Sequence, residues 1–216
     1  MKVEIYIPDT LSEITLGQYQ KYLKYQSDND DENFLAIKMI EVFCGLRNTT
    51  VRAMKAKSIR DITRILTDMF SEKPQLIKQF EMNGLTYGFI PDLENMSFGE
   101  YIDLDTFIGD SENLHKAMGV LYRPITQSYK DKYIIEKYAG DKYEDMVNMP
   151  MDAVLSSILF FYHLGMEFST TMLNSLEDQE EENLVQYLSS IKNGDGINQF
   201  SVSLKGILED LKISLN

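Results

Sequence analysis

The sequence predicts a mainly α protein of the α+β type: a helical chain with a small antiparallel three-stranded sheet in its N-terminal half. Three observations lead there. Two capping boxes, Thr15 with Gln18 and Ser97 with Glu100, each stand at the head of an apolar helical stretch. Asn83-Gly84 lies between two strand-like segments, and Asn-Gly supplies the two positive φ values that a type I′ hairpin turn demands. From Ser111 onward apolar residues recur at helical spacing, punctuated by Gly and Pro.

Val3, Ile5 and Ile7 alternate with Lys2, Glu4 and Tyr6, the pattern of a short half-buried strand that Pro8-Asp9 stops. The box at Thr15 opens a helix to about Gln26, and the acids of Ser27–Asp31 suit the N-terminus of a second helix, Glu32 to Cys44, with Gly45 as its C′ residue. A third helix starts near Ser58 and aligns Ile59, Ile62, Leu66 and Phe70 on one face. Residues 77–82 and 85–90 form the hairpin. An isolated hairpin is marginal in water, so residues 2–7 are its expected third strand. Further helices are expected over Ser111–Tyr122, Asp131–Tyr138, Pro150 to about Leu176, Glu177–Ile191 and Ile197–Ile213. The reading divides the chain into an N-terminal α+β lobe, 1–126, and a C-terminal helical lobe, 127–216, sharing one core.

Ile7-Pro-Asp-Thr-Leu-Ser-Glu-Ile-Thr-Leu-Gly-Gln-Tyr19 is echoed by Ile90-Pro-Asp-Leu-Glu-Asn-Met-Ser-Phe-Gly-Glu-Tyr101 with one residue deleted. Any strand-to-helix turn favours these residue types, so the echo marks two similar local structures whether or not a duplication made them.

Composition excludes more than it assigns. The 216 residues are 44% hydrophobic, enough for a core that needs no disulfide or metal staple. Cys44 is the single cysteine, which removes internal disulfides and cysteine-rich zinc sites, and His115 and His163 are the only histidines. A net charge of −13 repels phosphate backbones. No secretory h-region is visible at the N-terminus, and the apolar run Ile158–Met166 is far shorter than the ~20 residues a spanning helix needs.

Chemistry-bearing groups are few. Glu81 to His115 holds eight acids and no Lys or Arg; Asp103 and Asp105 stand in it without the register of a calcium loop, so a solvated acidic face is expected. Asn193-Gly-Asp-Gly reads as a turn, His163 as a core histidine and Cys44 as a small buried hydrophobe. No nucleophile elbow, phosphate loop or dinucleotide fingerprint is present, so no catalytic residue, metal or cofactor is expected. Arg47, Arg52, Lys55, Lys57 and Arg60 form a basic stretch without an acid. Its spacing superficially resembles a helix-turn-helix, but in so acidic a chain it is better read as a protein contact, complementing an acidic patch on a neighbouring subunit or on residues 81–115 of the same chain. Tyr129, Tyr133, Tyr138 and Tyr143 suit either a contact surface or a wet-edged core.

Ile90-Pro-Asp-Leu-x-x-Met-Ser-Phe-Gly-Glu-Tyr-Ile-Asp-Leu-Asp, Leu114-His-Lys-Ala-Met-Gly-Val-Leu-Tyr-Arg-Pro-Ile125 and the N-terminal Ile-Pro-Asp-Thr-Leu-Ser-Glu-Ile-Thr-Leu-Gly-Gln-Tyr resemble a family of small proteins encoded among the virion genes of tailed phages, especially crAss-like phages infecting Bacteroides. The resemblance covers about residues 1–125. It implies a non-enzymatic virion protein, made in the host cytoplasm, that is a component or packaged cargo of the portal and tail region. Its partners would be portal or tail ring proteins or further copies of itself, with no sequence-specific nucleic acid and no membrane. A tail-assembly chaperone absent from the mature particle is the alternative, and a metal-dependent hydrolase using the acids of 81–115 a more distant one.

Overall fold

Both capping boxes form, and each sets the start of its helix. The computed structural model describes residues 5–140, 143–177 and 205. In the first box the Gln18 amide donates to Thr15 Oγ1 (3.2 Å) and the Thr15 amide to Gln18 Oε1 (2.9 Å), opening α1 (Leu16–Ser27). Asp31 accepts the Asn33 amide at 2.9 Å and caps α2 (Glu32–Phe43), after which Gly45 takes the left-handed conformation, φ +66°. A five-residue helix, α3 (Asn48–Arg52), leads into α4 (Ala56–Phe70), which buries Ile62, Leu66, Met69 and Phe70. Phe70 meets Tyr19 of α1 and Phe43 of α2, with ring centroids 5.8 and 5.3 Å apart, so α1, α2 and α4 share one aromatic seam.

The Asn-Gly hairpin is present as β1 (Gln79–Met82) and β2 (Leu85–Phe89), with φ of +54° at Asn83 and +75° at Gly84. A Cβ placed on Gly84 would meet nothing within 4 Å, so only the backbone conformation penalises a side chain there. Gly84→Val is therefore expected to cost on the order of 1–2 kcal/mol or somewhat more, since a β-branched residue is held at positive φ. A urea midpoint equal to wild type would argue against the type I′ turn.

The third strand is not the expected one. Residues 5–8 run without sheet pairing, and residues 2–4 lie outside the described residues. The far edge of β2 is taken instead by β3 (Tyr122–Tyr129), with Phe89 opposite Tyr122 and Tyr87 opposite Pro124. β3 then turns at Lys130, φ +53°, into β4 (Lys132–Ile135). The sheet thus has four antiparallel strands in the order β1-β2-β3-β4, and the helix expected over Asp131–Tyr138 is in fact a strand and its exit. Tyr133-Ile-Ile is aromatic and β-branched, and burial alternates along β4 as a strand requires. The Tyr133 hydroxyl donates to the Phe89 carbonyl (2.7 Å), and its ring lies over Gly88, where a Cβ would come within 2.5 Å of it.

Between β2 and β3 the chain forms α5 (Phe98–Phe107), capped by the Ser97–Glu100 box, and α6 (Leu114–Leu121). The helix expected from Pro150 appears as α7 (Met151–Glu177). Its first turns are buried on nearly every side, from Met151 through Leu159. A single antiparallel bridge, Thr15 to Pro150, stitches α7 to the start of α1 through Leu16 N–Met149 O (2.9 Å) and Met151 N–Ile14 O (2.8 Å). Ser156 Oγ accepts the Ile77 amide (3.1 Å), and the Tyr122 hydroxyl donates to the Ile77 carbonyl (2.8 Å). One buried cluster runs from Leu11 to Phe161. The helices expected over Glu177–Ile191 and Ile197–Ile213, and the Asn193-Gly-Asp-Gly turn, lie outside the described residues, save Glu177 at the end of α7 and the helical Lys205.

Candidate protein-contact surfaces

The basic stretch is an exposed corner made by α3 and α4. Arg47 and Lys55 occupy the N-cap positions of these helices, neither offers a side-chain acceptor, and neither helix has an acid in its first turn. Arg47, Arg52, Lys55, Lys57 and Arg60 are all exposed, and none makes an ion pair within 4 Å among the described residues. Arg52 acts at longer range on Glu41, whose burial would raise its carboxyl but whose partners Lys38, Asn48 and Arg52 together hold it below the usual carboxylate range. Lys57 and Arg60 are joined by Arg64 on the outer face of α4, beside a half-exposed Ile65. Cations at a helix N-terminus face the positive end of the macrodipole, a locally unfavourable arrangement. The expected complement on the chain's own residues 81–115 is not seen. Of those acids, Glu100 pairs with Arg123 and Glu112 with Lys24, while the basic corner pairs with none.

A second surface was not legible as such in the sequence. Phe98, Tyr101 and Ile102 on α5 are 76%, 55% and 44% exposed, and with Asp105 they form one stripe at i, i+3, i+4 and i+7. The opposite face of α5 is buried through Leu104 and Glu100. The available signal was that the apolar residues of Phe98–Phe107 (Phe98, Tyr101, Ile102, Leu104 and Phe107) do not fall on one face, and one packed face cannot absorb all of them.

Beneath α5 lies a polar network. Glu100 and Arg123 meet at 2.6 Å with side chains only 9% and 11% exposed, and the guanidinium stands 5.6 Å over the Tyr138 ring. Arg123 Nε is buried without an acceptor, so this pair is incompletely satisfied. Burial by itself would raise the Glu100 carboxyl; the Ser97 hydroxyl and amide and the Arg123 charge outweigh it and hold the group below its usual range. Asp103, expected on a solvated acidic face, is instead half-buried and accepts from the Tyr138 and Tyr143 hydroxyls, the latter at 3.0 Å, while Asp105 is exposed on α5 as expected. Among the described residues no group of three or more His, Cys, Asp or Glu is arranged to hold a metal. Tyr133, Tyr138 and Tyr143 are half-buried, the wet-edged core reading, and only Tyr129 projects. An open cleft of about 400 Å³ lies beside this network, bordered by Tyr87, Arg123, Glu136, Tyr138, Tyr143 and Asp145.

Remaining candidates fall into place. Burial pushes the Cys44 thiol up to about 11, which removes thiolate reactivity. His115 Nδ1 contacts Gln20 Nε2 at 3.3 Å, and burial lowers its pKa. His163, expected in the core, sits on the exposed side of α7 because the neighbouring Phe161 takes the inward position. No helix among the described residues is long and apolar enough to cross a membrane.

Comparison with protein-family models, with curated proteins and with solved structures finds no match to this chain.

Proposed function

We propose that this chain is a structural component of a tailed-phage particle, in its portal and tail region, and that it works through protein–protein contacts rather than catalysis. The observation that carries the reading is the outer face of α5, where Phe98, Tyr101 and Ile102 stand in solvent on a helix whose other face is already packed. Contiguous exposed aromatic and aliphatic side chains on an ordered helix mark an interaction surface. The resemblance of residues 1–125 to phage virion proteins supports the same reading. Its two echoed segments each enter a helix, α1 and α5, through a completed capping box, although the first follows unpaired chain and a 3-10 turn and the second follows β2.

Mass spectrometry of purified phage particles tests the proposal. Recovery of this chain in constant proportion to portal and tail proteins is the expected result. Its presence in lysates of infected cells but absence from mature particles would replace this reading with the assembly-chaperone alternative.

A further inference from the structure

We propose that copies of this chain associate head to tail, the α5 stripe of one copy docking on the basic α3–α4 corner of the next. The inference rests on the contact-protein reading above and names the partner of that surface as a second copy of the chain. Charge is sharply segregated along the sequence. Residues 47–60 carry five cations and no acid, whereas residues 81–115 carry eight acids and no Lys or Arg. The fold does not join these two segments internally, because Glu100 and Glu112 take Arg123 and Lys24, and among the described residues none of the five cations makes an ion pair within 4 Å, Arg52 acting only at longer range on Glu41. Two copies each of net charge −13 repel one another in most orientations. The orientation that escapes this repulsion sets the basic corner of one copy against an acidic surface of the other.

The α5 stripe is such a surface and also brings apolar area. Asp105 ends the stripe and exposed Glu94 precedes it, flanking Phe98, Tyr101 and Ile102 with negative charge. On the other side, Lys57, Arg60 and Arg64 outnumber the single exposed acid among them, Asp61, along α4 next to the exposed Ile65. The aromatic contact supplies affinity and the charges select orientation. Acids arriving at the α4 N-terminus would also relieve the unfavourable alignment of Lys55 with the helix dipole. Because the two patches differ, the contact is heterologous, and repeated contacts close into a ring or extend as a filament.

Charge exchange between the faces tests this on the full-length chain by sedimentation velocity. Wild type is expected to form concentration-dependent oligomers at about 50 mM salt, with association weakened roughly tenfold or more at about 500 mM. Lys57→Glu/Arg60→Glu and Glu94→Lys/Asp105→Lys, all at exposed positions, are each expected to stay monomeric alone. An equimolar mixture of the two variants is expected to co-assemble, because every junction then joins unlike charges. That restoration also shows that both variants fold. A wild-type chain monomeric at every concentration and salt, variants that oligomerise like wild type, or a mixture that does not co-assemble would each overturn the proposal. Detection of the chain in particles together with a monomer in solution would sink self-association while leaving the virion reading in place, with α5 then facing a different particle protein.

Discussion

Replacing Glu100 by Gln is expected to destabilise the protein by about 3–5 kcal/mol, the cost of leaving a buried charge without its partner. The substitution preserves size, and the Gln side chain still reaches the Ser97 amide, so the capping box survives. What it removes is the countercharge 2.6 Å from Arg123, a guanidinium whose Nε already lacks an acceptor. Combining it with Arg123→Met is expected to restore much of the loss, since an apolar side chain needs no compensation there. The pH dependence follows from the direction of the shift. The folded carboxyl is held below its unfolded value, so its contribution is complete above the ordinary carboxylate range and fades as pH falls through the lower folded value. Urea unfolding of the three proteins across that acid window measures both effects. Glu100→Gln should be the flatter curve, and a neutral-pH midpoint matching wild type would show that the pair is structurally idle.

Phe89→Ala is expected to cost about 3–5 kcal/mol, the range for emptying an aromatic site in a core. Phe89 is 5% exposed at the junction of sheet and α7, with ring centroids 5.2 Å from Tyr122, 5.8 Å from Phe160 and 6.2 Å from Phe161. It stands opposite Tyr122 in the β2–β3 register, so the cavity opens where the hairpin joins the strand that follows α6. Hydrogen exchange should show β2 and β3 amides losing protection while α1 and α2, seamed by Tyr22 and Phe43, keep theirs. Uniform loss across the chain would mean that the sheet and the helical seam unfold as one unit.

The elements read correctly from the sequence are those whose cause is local. A capping box satisfies amides three residues away, and Asn-Gly sets the two φ values of its own turn. Pro150 followed by a long apolar run opens α7 one residue later. The basic corner was legible for a similar reason: five cations within residues 47–60, with no acid between them, remain close together in space on α3 and the start of α4.

What the sequence left open were questions of partnership. Val3, Ile5 and Ile7 have the alternation of a strand, but β2 has only two edges, β1 holds one, and a segment more than thirty residues downstream takes the other. Tyr122-Arg-Pro-Ile looks like the end of a helix, and becomes a strand because Phe89, Gly88 and Tyr87 lie opposite its first three residues. That pairing in turn gives Tyr133-Ile-Ile an edge to join, where the same residues alone were equally compatible with a helix. The exposed stripe of α5 has the same origin, since α5 spreads its apolar residues over more than one face and only its packing decides which remain in water. By itself, then, the sequence determined the Asn-Gly turn, the caps and the charged corner, whose energies are settled within a few residues. The tertiary structure alone decided strand order and which apolar face stayed outside, because burial and edge pairing are shared among distant segments and one segment's gain removes the site from another.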